Sequence, residues 1–531
     1  MLGWSNVNDS SKILLVYVDP VTYPAAPPYG LEILSSFLLD KGYGVEIINP
    51  FQESIRPLRA LKNRLSSQKY LFVGLSFRNW DEAGFSYKSR NPPSFIPHLF
   101  KVVSATREQL PQTPIIIGGA GFSISPERLL RNTGLNFGIK GPGEHSIIEF
   151  ASCVQGSKTI GELKDLLFRK ISDKQLQGFV LRRGNEIVYG PSQYEYLEPP
   201  FRFVDEGSHY SVKLLGGTIP VRTKIGCSQK CSYCVVPFIE PLKLRTFDGI
   251  NNDLQFFIDR NEGHRFFFAD SEFNLPSKDW FNGLLDQLVK NFRGRIGWMS
   301  YLYPTCDFTE EEGRKLALSG CRGVSFTVDS LEDRTLALML KKYRSTHVLQ
   351  MIEILLRHNI HVQVNLLFGG PGETYDTISS QVNLIKVIAK GGVTFSVNVG
   401  MRVYENTPLE LISQKDKFKR HFYNTVQTPI FCSPTNHREL GRILRDELSR
   451  TPNVQFTEEH SRVVNQAMIN LSLGARSLFA NQMEKSEKYF IKSMNYNYES
   501  FRAKIGLARL YSTTNQIRKA NGILKAIERY I

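Results

Sequence analysis

The chain contains no run of about 18 apolar residues long enough to span a bilayer. Its opening stretch, MLGWSNVNDSSKILLVYVDP, has neither a basic leader nor a small-residue cleavage site. No transmembrane segment and a cytoplasmic location are therefore expected. Cysteine is scarce and odd in number, seven in 531 residues, which excludes a disulfide framework in favour of reduced thiols. None of the seven falls in residues 1–150, and histidine is absent from the first 97 residues. The glycine-rich stretch Gly118-Gly119-Ala120-Gly121 lacks the third glycine of a dinucleotide fingerprint and is not followed by Gly-Lys-Ser/Thr, which excludes nicotinamide and nucleoside-triphosphate sites there.

What is present implies several domains, because 531 residues exceed what one core usually supports. The net charge of +15 is concentrated: residues 411–531 hold 20 Lys/Arg against 10 Asp/Glu. The body is close to balanced and unlike a dedicated nucleic-acid binder, while the basic end suits an acidic protein partner.

In residues 1–150, apolar strand runs alternate with helical patterns: Lys12–Val18, Val45–Ile48, Leu71–Phe77, Pro114–Ile117 and Phe137–Ile139, with a helix at Gly30–Lys41. That rhythm predicts a Rossmann-like parallel sheet with ligands beyond its strand ends. Four loops would build one crevice: Pro27-Pro28-Tyr29-Gly30, Ser76-Phe77-Arg78-Asn79, Gly118-Gly119-Ala120-Gly121 and Gly141-Pro142-Gly143-Glu144. Residues 151–215 read as a polar connector with a hairpin turn at Leu181–Asn185. From Thr218 the alternation restarts, with strands expected at Ile219–Lys224, Arg265–Ala269, Ile296–Met299, Gly323–Val328, His361–Leu367 and Thr394–Val399. Six units over residues 216–410 predict a partial (β/α)6 barrel with its chemistry at the strand C-termini. Residues 411–531 are expected to be helical. Within about 466–531, Gly474, Ser486, Phe490 and Ser493 recur 34 residues later as Ala508, Ala520, Leu524 and Ile527, a weak tetratricopeptide (TPR-like) pattern.

Just after the first barrel strand stands Lys224-Ile225-Gly226-Cys227-Ser228-Gln229-Lys230-Cys231-Ser232-Tyr233-Cys234. Structural zinc wants four ligands, usually as two pairs, and no second pair lies near. Three thiolates on a [4Fe–4S] cluster leave one iron open. The remaining cysteines, Cys153, Cys306, Cys321 and Cys432, are expected to be buried packing residues.

CSQKCSYC resembles the Cys-x3-Cys-x2-Cys signature of radical S-adenosylmethionine (SAM) enzymes, with an aromatic residue, Tyr233, before the third cysteine. Phe268–Asn274 (FADSEFN), Gly369–Thr374 (GGPGET) and Gly400–Leu409 (GMRVYENTPL) resemble that family's later motifs, each after a candidate strand. With the front sheet, residues 10–410 look like the cobalamin-dependent class of radical SAM methyltransferases. The resemblance implies a [4Fe–4S] cluster on Cys227, Cys231 and Cys234, and SAM near Tyr233, Asp270, Glu272, Gly369, Gly370, Pro371 and Arg402. It implies cobalamin near Pro28, Tyr29, Ser76, Arg78, Asn79, Gly118, Gly119, Gly143 and Glu144.

The chain departs from the common cobalamin signature Asp-x-His-x-x-Gly, since Asp19 is followed by Pro20 and Val21, so Arg78 becomes the candidate for the lower face of the corrinoid. The implied activity is methylation of an unactivated carbon in a small-molecule or peptide metabolite through a 5′-deoxyadenosyl radical and methylcobalamin, with an electron donor of the flavodoxin or ferredoxin type. Other outcomes of the same class are rearrangement or cyclisation. RNA modification is disfavoured, because methylthiotransferases carry a second cluster on front-domain cysteines that are missing here. A non-catalytic TPR-type scaffold is disfavoured by the intact triad.

Overall fold

The computed structural model describes residues 12–20, 28–54, 56–81, 94–192, 197–198, 217–260, 264–415, 420–421, 429–456, 462–495 and 500–527. The chain divides into two compact units: Met1–Trp80 with Phe95–Ile219 and His460–Ile531, and Asp81–Ser94 with Pro220–Glu459.

The first unit is built on β1 (Lys12–Val18), β2 (Gly44–Ile48), β3 (Val73–Phe77), β4 (Ile115–Gly118), β5 (Phe137–Ile139), β6 (Phe179–Arg183) and β7 (Glu186–Tyr189). Their order is β2-β1-β3-β4-β5-β6-β7. The first five pair in parallel, with Leu15 opposite Ile47 on one side and Gly74 on the other. The hairpin expected around Gly184 is real, and it extends this sheet as an antiparallel edge. Strand runs such as KILLVYV are apolar throughout because helices cover both faces of a parallel sheet. One face packs Phe72, Phe137, Phe150 and Phe179 into a continuous core. The order reverses between β1 and β3, so the crevice at their carboxyl ends is the topological switch point where ligands bind in such sheets.

The C-terminal helices Arg462–Phe479, Met483–Met494, Ser500–Thr513 and Ile517–Ile527 group with this first unit. Arg476 pairs with Glu53 at 3.5 Å. Phe490 is fully buried, and a Cβ on Gly474 or Gly506 would lie 2.6 or 2.4 Å from its ring. Ser486 and Ser493 donate to the Gly474 and Ala467 carbonyls. Of the positions 34 residues on, Ala508 and Ala520 are buried, whereas Leu524 is 45% exposed and the Ile527 side chain lies outside the described residues.

The second unit contains β8 (Ile219–Val221), β9 (Lys224–Ile225), β10 (Lys243–Leu244), β11 (Arg265–Phe268), β12 (Gly297–Leu302), β13 (Cys321–Asp329), β14 (His361–Phe368), β15 (Thr394–Val399), β16 (Met401–Arg402), β17 (Arg420–His421), β18 (Ile430–Phe431) and β19 (Val454–Phe456). Its main sheet runs β19-β15-β14-β13-β12-β11-β8, parallel from β11 to β19. All six expected strands are there, with two differences. The expected strand Ile219–Lys224 breaks at Arg222, so that β9 leaves the main sheet to pair with β10. A seventh strand, β19, is added on β15; it is short and only half-buried, without the apolar run that marks the others.

Candidate functional site

The cysteine loop leaves β9 through Gly226, whose φ of +71° favours glycine and where a Cβ would meet the Pro241 carbonyl oxygen at 2.7 Å. Its middle is held from two sides: the Ser232 N–H donates to the Met339 carbonyl at 2.9 Å, and the Ser232 carbonyl accepts from the Leu409 N–H at 2.8 Å. All seven cysteines are free thiols. Cys153, Cys321 and Cys432 are buried as expected, but Cys306 is exposed: it sits in the turn beyond β12, before the helix Glu310–Leu318, where nothing packs over it. Burial raises the thiols of Cys227 and Cys231 and pushes that of Cys234 up to about 12. Backbone N–H groups of Gln229 and Val236 face the sulfurs of Cys227 and Cys234. Sulfurs so buried keep their protons unless a cationic metal centre replaces them, and N–H groups aimed at them suit thiolates. Among the described residues no three Cys, His, Asp or Glu side chains converge on a single ion. The donor set, three spaced thiols on one loop, fits a multi-iron cluster.

The two carboxylates after β11 differ. Asp270 is fully engaged: it accepts from the Thr223 N–H at 2.8 Å, the Thr223 hydroxyl at 2.6 Å and the Lys224 N–H at 3.2 Å, and it faces the Lys224 ammonium at 3.6 Å. Lys224 is buried, donates to the Phe273 carbonyl and stacks over Trp280; burial lowers its pKa, opposed by Asp270. Asp270 is thus the clamp between β11 and the start of the cysteine loop. Glu272 is 7% exposed; one of its oxygens accepts from the Thr327 hydroxyl and the other, Oε2, has no partner. Burial pushes its carboxyl up to about 7. It is a free acceptor beside the cysteine loop.

In the loop after β14, Glu373 accepts from the Gly369 N–H at 2.6 Å and from Gln381, closing the turn on itself. Cβ atoms on Gly369 and Gly370 would strike Cys432 Sγ and Met339 Cε at 2.6 and 2.4 Å, so protein atoms already occupy that side of both glycines. Pro371 is buried, and Thr374 caps the helix Tyr375–Ile388. Arg402 pairs with Asp81 at 2.6 Å, both largely buried, a partner that the sequence did not suggest.

Two further groups were not picked out in the sequence. Asp329, ending β13, has a left-handed φ of +68° after a register shift at Thr327. It pairs with the buried Lys341 at 2.7 Å and accepts from the Tyr233 hydroxyl. Burial works against the Lys341 ammonium, but Asp329 and the ring hydroxyls outweigh it and hold its pKa well above the ordinary value. Asp329 could have been found by the signal that found Asp270, a carboxylate ending an apolar strand; Lys341 carries no such mark.

In the first unit the four expected loops adjoin. Arg78, after β3, reaches Asp19, after β1, at 2.9 Å; Asp19 is buried and the Arg78 side chain is 55% exposed. Burial, then Asp19, raises the Tyr17 phenol, which hydrogen-bonds to the same carboxylate. Gly119, at φ +93°, leaves room for the Phe77 carbonyl, which a Cβ would approach to 2.7 Å. The Gly141 N–H donates to Ser123 Oγ, and Gly143 lies against Leu34 in the helix Tyr29–Asp40. Ser76 and Gly118 are opposite each other at the ends of β3 and β4. Asn79 accepts from the Trp80 N–H, and the Pro28 carbonyl accepts from Leu31 at the start of the helix that Tyr29 begins. Glu144 is buried in the first turn of Glu144–Gln155. Pro27 lies outside the described residues. Arg78 is the only long cationic side chain among the expected residues of this crevice, at the switch point between β1 and β3.

Residues 222–385 match the radical SAM superfamily model. The chain is 24% identical to the tryptophan 2-C-methyltransferase of Streptomyces laurentii over 459 residues, 74% of this chain and 73% of that one. It is 25% identical to the ribosomal protein uS12 methylthiotransferase RimO of Clostridium acetobutylicum, over 31% of this chain and 39% of the relative. Its fold is similar to that of the radical SAM methyltransferase TsrM from Kitasatospora setae with cobalamin and a [4Fe–4S] cluster bound. There the TM-score is 0.71 at 20% identity, covering 90% of this chain and 99% of that one. It is also similar to OxsB, a cobalamin-dependent SAM radical enzyme, with a TM-score of 0.62 at 12% identity over 98% and 84% of the two chains.

Proposed function

We propose that this chain, a radical SAM enzyme by its residues 222–385, is a cobalamin-dependent methyltransferase that acts on a carbon of a small-molecule metabolite. The observation that carries the reading is the cysteine loop: three thiols, Cys231 buried and Cys227 and Cys234 half-buried, backbone-clamped at Ser232, beside a carboxylate oxygen that no group among the described residues satisfies. In this reading Cys227, Cys231 and Cys234 hold the cluster, and the missing fourth ligand leaves one iron for SAM. Glu272 Oε2, which has no partner among the described residues, would hold the SAM ammonium. Tyr233, Gly369, Gly370, Pro371 and Arg402 shape the surrounding wall, and Asp270 holds the loop in place rather than touching the ligand. Residues 1–150 form the corrinoid domain, with Pro28, Tyr29, Ser76, Asn79, Gly118, Gly119, Gly143 and Glu144 along the crevice. Arg78, paired with Asp19, would be the side chain that holds the corrinoid in place of the absent histidine. When bound, cluster, SAM and cobalamin supply the one-electron and methyl-transfer chemistry; the chain orients them and excludes water.

A small-molecule substrate is favoured because the relative matched over most of its length is named for methylating tryptophan, whereas the methylthiotransferases match over less than half of either chain. The expected connector 151–215 instead carries the hairpin β6–β7 that completes the front sheet, and the expected helical region 411–531 also holds β17, β18 and β19; the helices within residues 462–527 form the TPR-like region, whose basic side chains take an acidic protein. A low-potential flavodoxin or ferredoxin supplies electrons in the cytoplasm.

The test is anaerobic purification with cobalamin supplied, followed by iron, sulfide and corrinoid analysis. A cluster together with a stoichiometric corrinoid spectrum is expected. A full cluster without corrinoid would remove methylcobalamin from the mechanism, and a chain holding no cluster would overturn the radical reading altogether.

A further inference from the structure

The segment from Met339 to Lys341 grips the cysteine loop twice. Its backbone does so at Ser232, and its Lys341 side chain reaches the next residue, Tyr233: Nζ lies 3.3 Å from the hydroxyl and 5.6 Å from the ring centre. Lys341 is enclosed by two more rings, Tyr303 and Tyr343, and donates to the Thr327 carbonyl at 3.2 Å. Its counter-charge, Asp329, sits at the end of β13 in the left-handed region, at φ +68°. The register shift at Thr327 turns that carboxylate toward both Lys341 and the Tyr233 hydroxyl.

A buried charge pair contributes little net stability compared with apolar side chains of the same volume, and its better-attested use is to specify one arrangement. We infer that Asp329 and Lys341 are positioning residues for the cluster loop: by locking the Tyr233 ring they fix the directions of the Cys231 and Cys234 thiols on either side of it. The inference rests on the reading of the triad as a cluster site. Neither residue touches iron. Their effect passes through Tyr233, whose side chain, placed between two ligands, would otherwise lose both tethers on its hydroxyl.

Three proteins test it, all as the full chain handled anaerobically: the wild type, Y233F, and the neutralised pair D329N/K341M. Y233F removes only the hydroxyl and buries no charge, so near-UV circular dichroism and thermal midpoint stay close to wild type. After reconstitution, both variants are expected to release iron to a ferrous chelator several-fold faster than wild type and to show altered g-values in the electron paramagnetic resonance spectrum of the reduced cluster. A merely structural pair would move the thermal midpoint without moving the spectrum. If the double variant fails to fold, Y233F decides. Wild-type iron content, release rate and spectrum in Y233F would overturn the inference alone, whereas a wild-type chain that takes up no iron would overturn it together with the cluster reading.

Discussion

Asp270 and Glu272 stand two residues apart after the same strand, yet one is saturated with donors and the other keeps an empty oxygen. The difference sets opposite expectations. D270N leaves Lys224 buried without its counter-charge, a change of the kind that costs about 3–5 kcal/mol, so thermal stability falls first. E272Q leaves the fold intact and weakens SAM binding by roughly tenfold, about 1.4 kcal/mol, measurable by calorimetry. An E272Q chain with unchanged SAM affinity would remove Glu272 from the ligand site. Glu373 has a pH signature of its own. Burial lifts its carboxyl from 4.5 to about 7, against the pull of the Gln381 and Gly369 donors. The folded state therefore holds a proton that the unfolded chain has released, so its contribution is fully present below pH 4.5 and lost as pH rises through about 7. E373Q is expected to flatten that part of the stability profile; thermal midpoints from pH 4.5 to 8 check it.

At the scale of elements, the strands that position the site were legible from two patterns: a nearly continuous apolar run where helices cover both faces, as in KILLVYV, and alternation of buried apolar with half-exposed residues, as in HVQVNLLF. The loop glycines were legible too, but their reason was not: Gly369 and Gly370 face protein side chains rather than open space. β19 was missed because three residues, two half-buried and one exposed, carry no periodic signal. The pairs Asp329–Lys341 and Asp81–Arg402 were missed because spacing along a chain does not encode which distant loops converge. In the C-terminal helices Phe490 fills the space left by Gly474 and Gly506, whereas the expected repeat position Leu524 is exposed. F490A is expected to cost about 3–5 kcal/mol, seen in urea unfolding of the full chain as an earlier transition. An unshifted transition would mean that these helices carry no cooperative core.

For the molecule as a whole, each unit presents its expected ligand residues at the carboxyl ends of a parallel sheet, the one place where short loops from several strands can surround a cofactor without breaking the core. The most direct measurement is turnover with SAM bearing a deuterated methyl group and a panel of aromatic small molecules, tryptophan first, with and without cobalamin. The expected result is a product carrying the intact deuterated methyl on carbon, formed only with corrinoid bound and abolished in C227A, C231A and C234A. Methylation that persists without corrinoid, or in any of the three cysteine variants, would contradict the assignment.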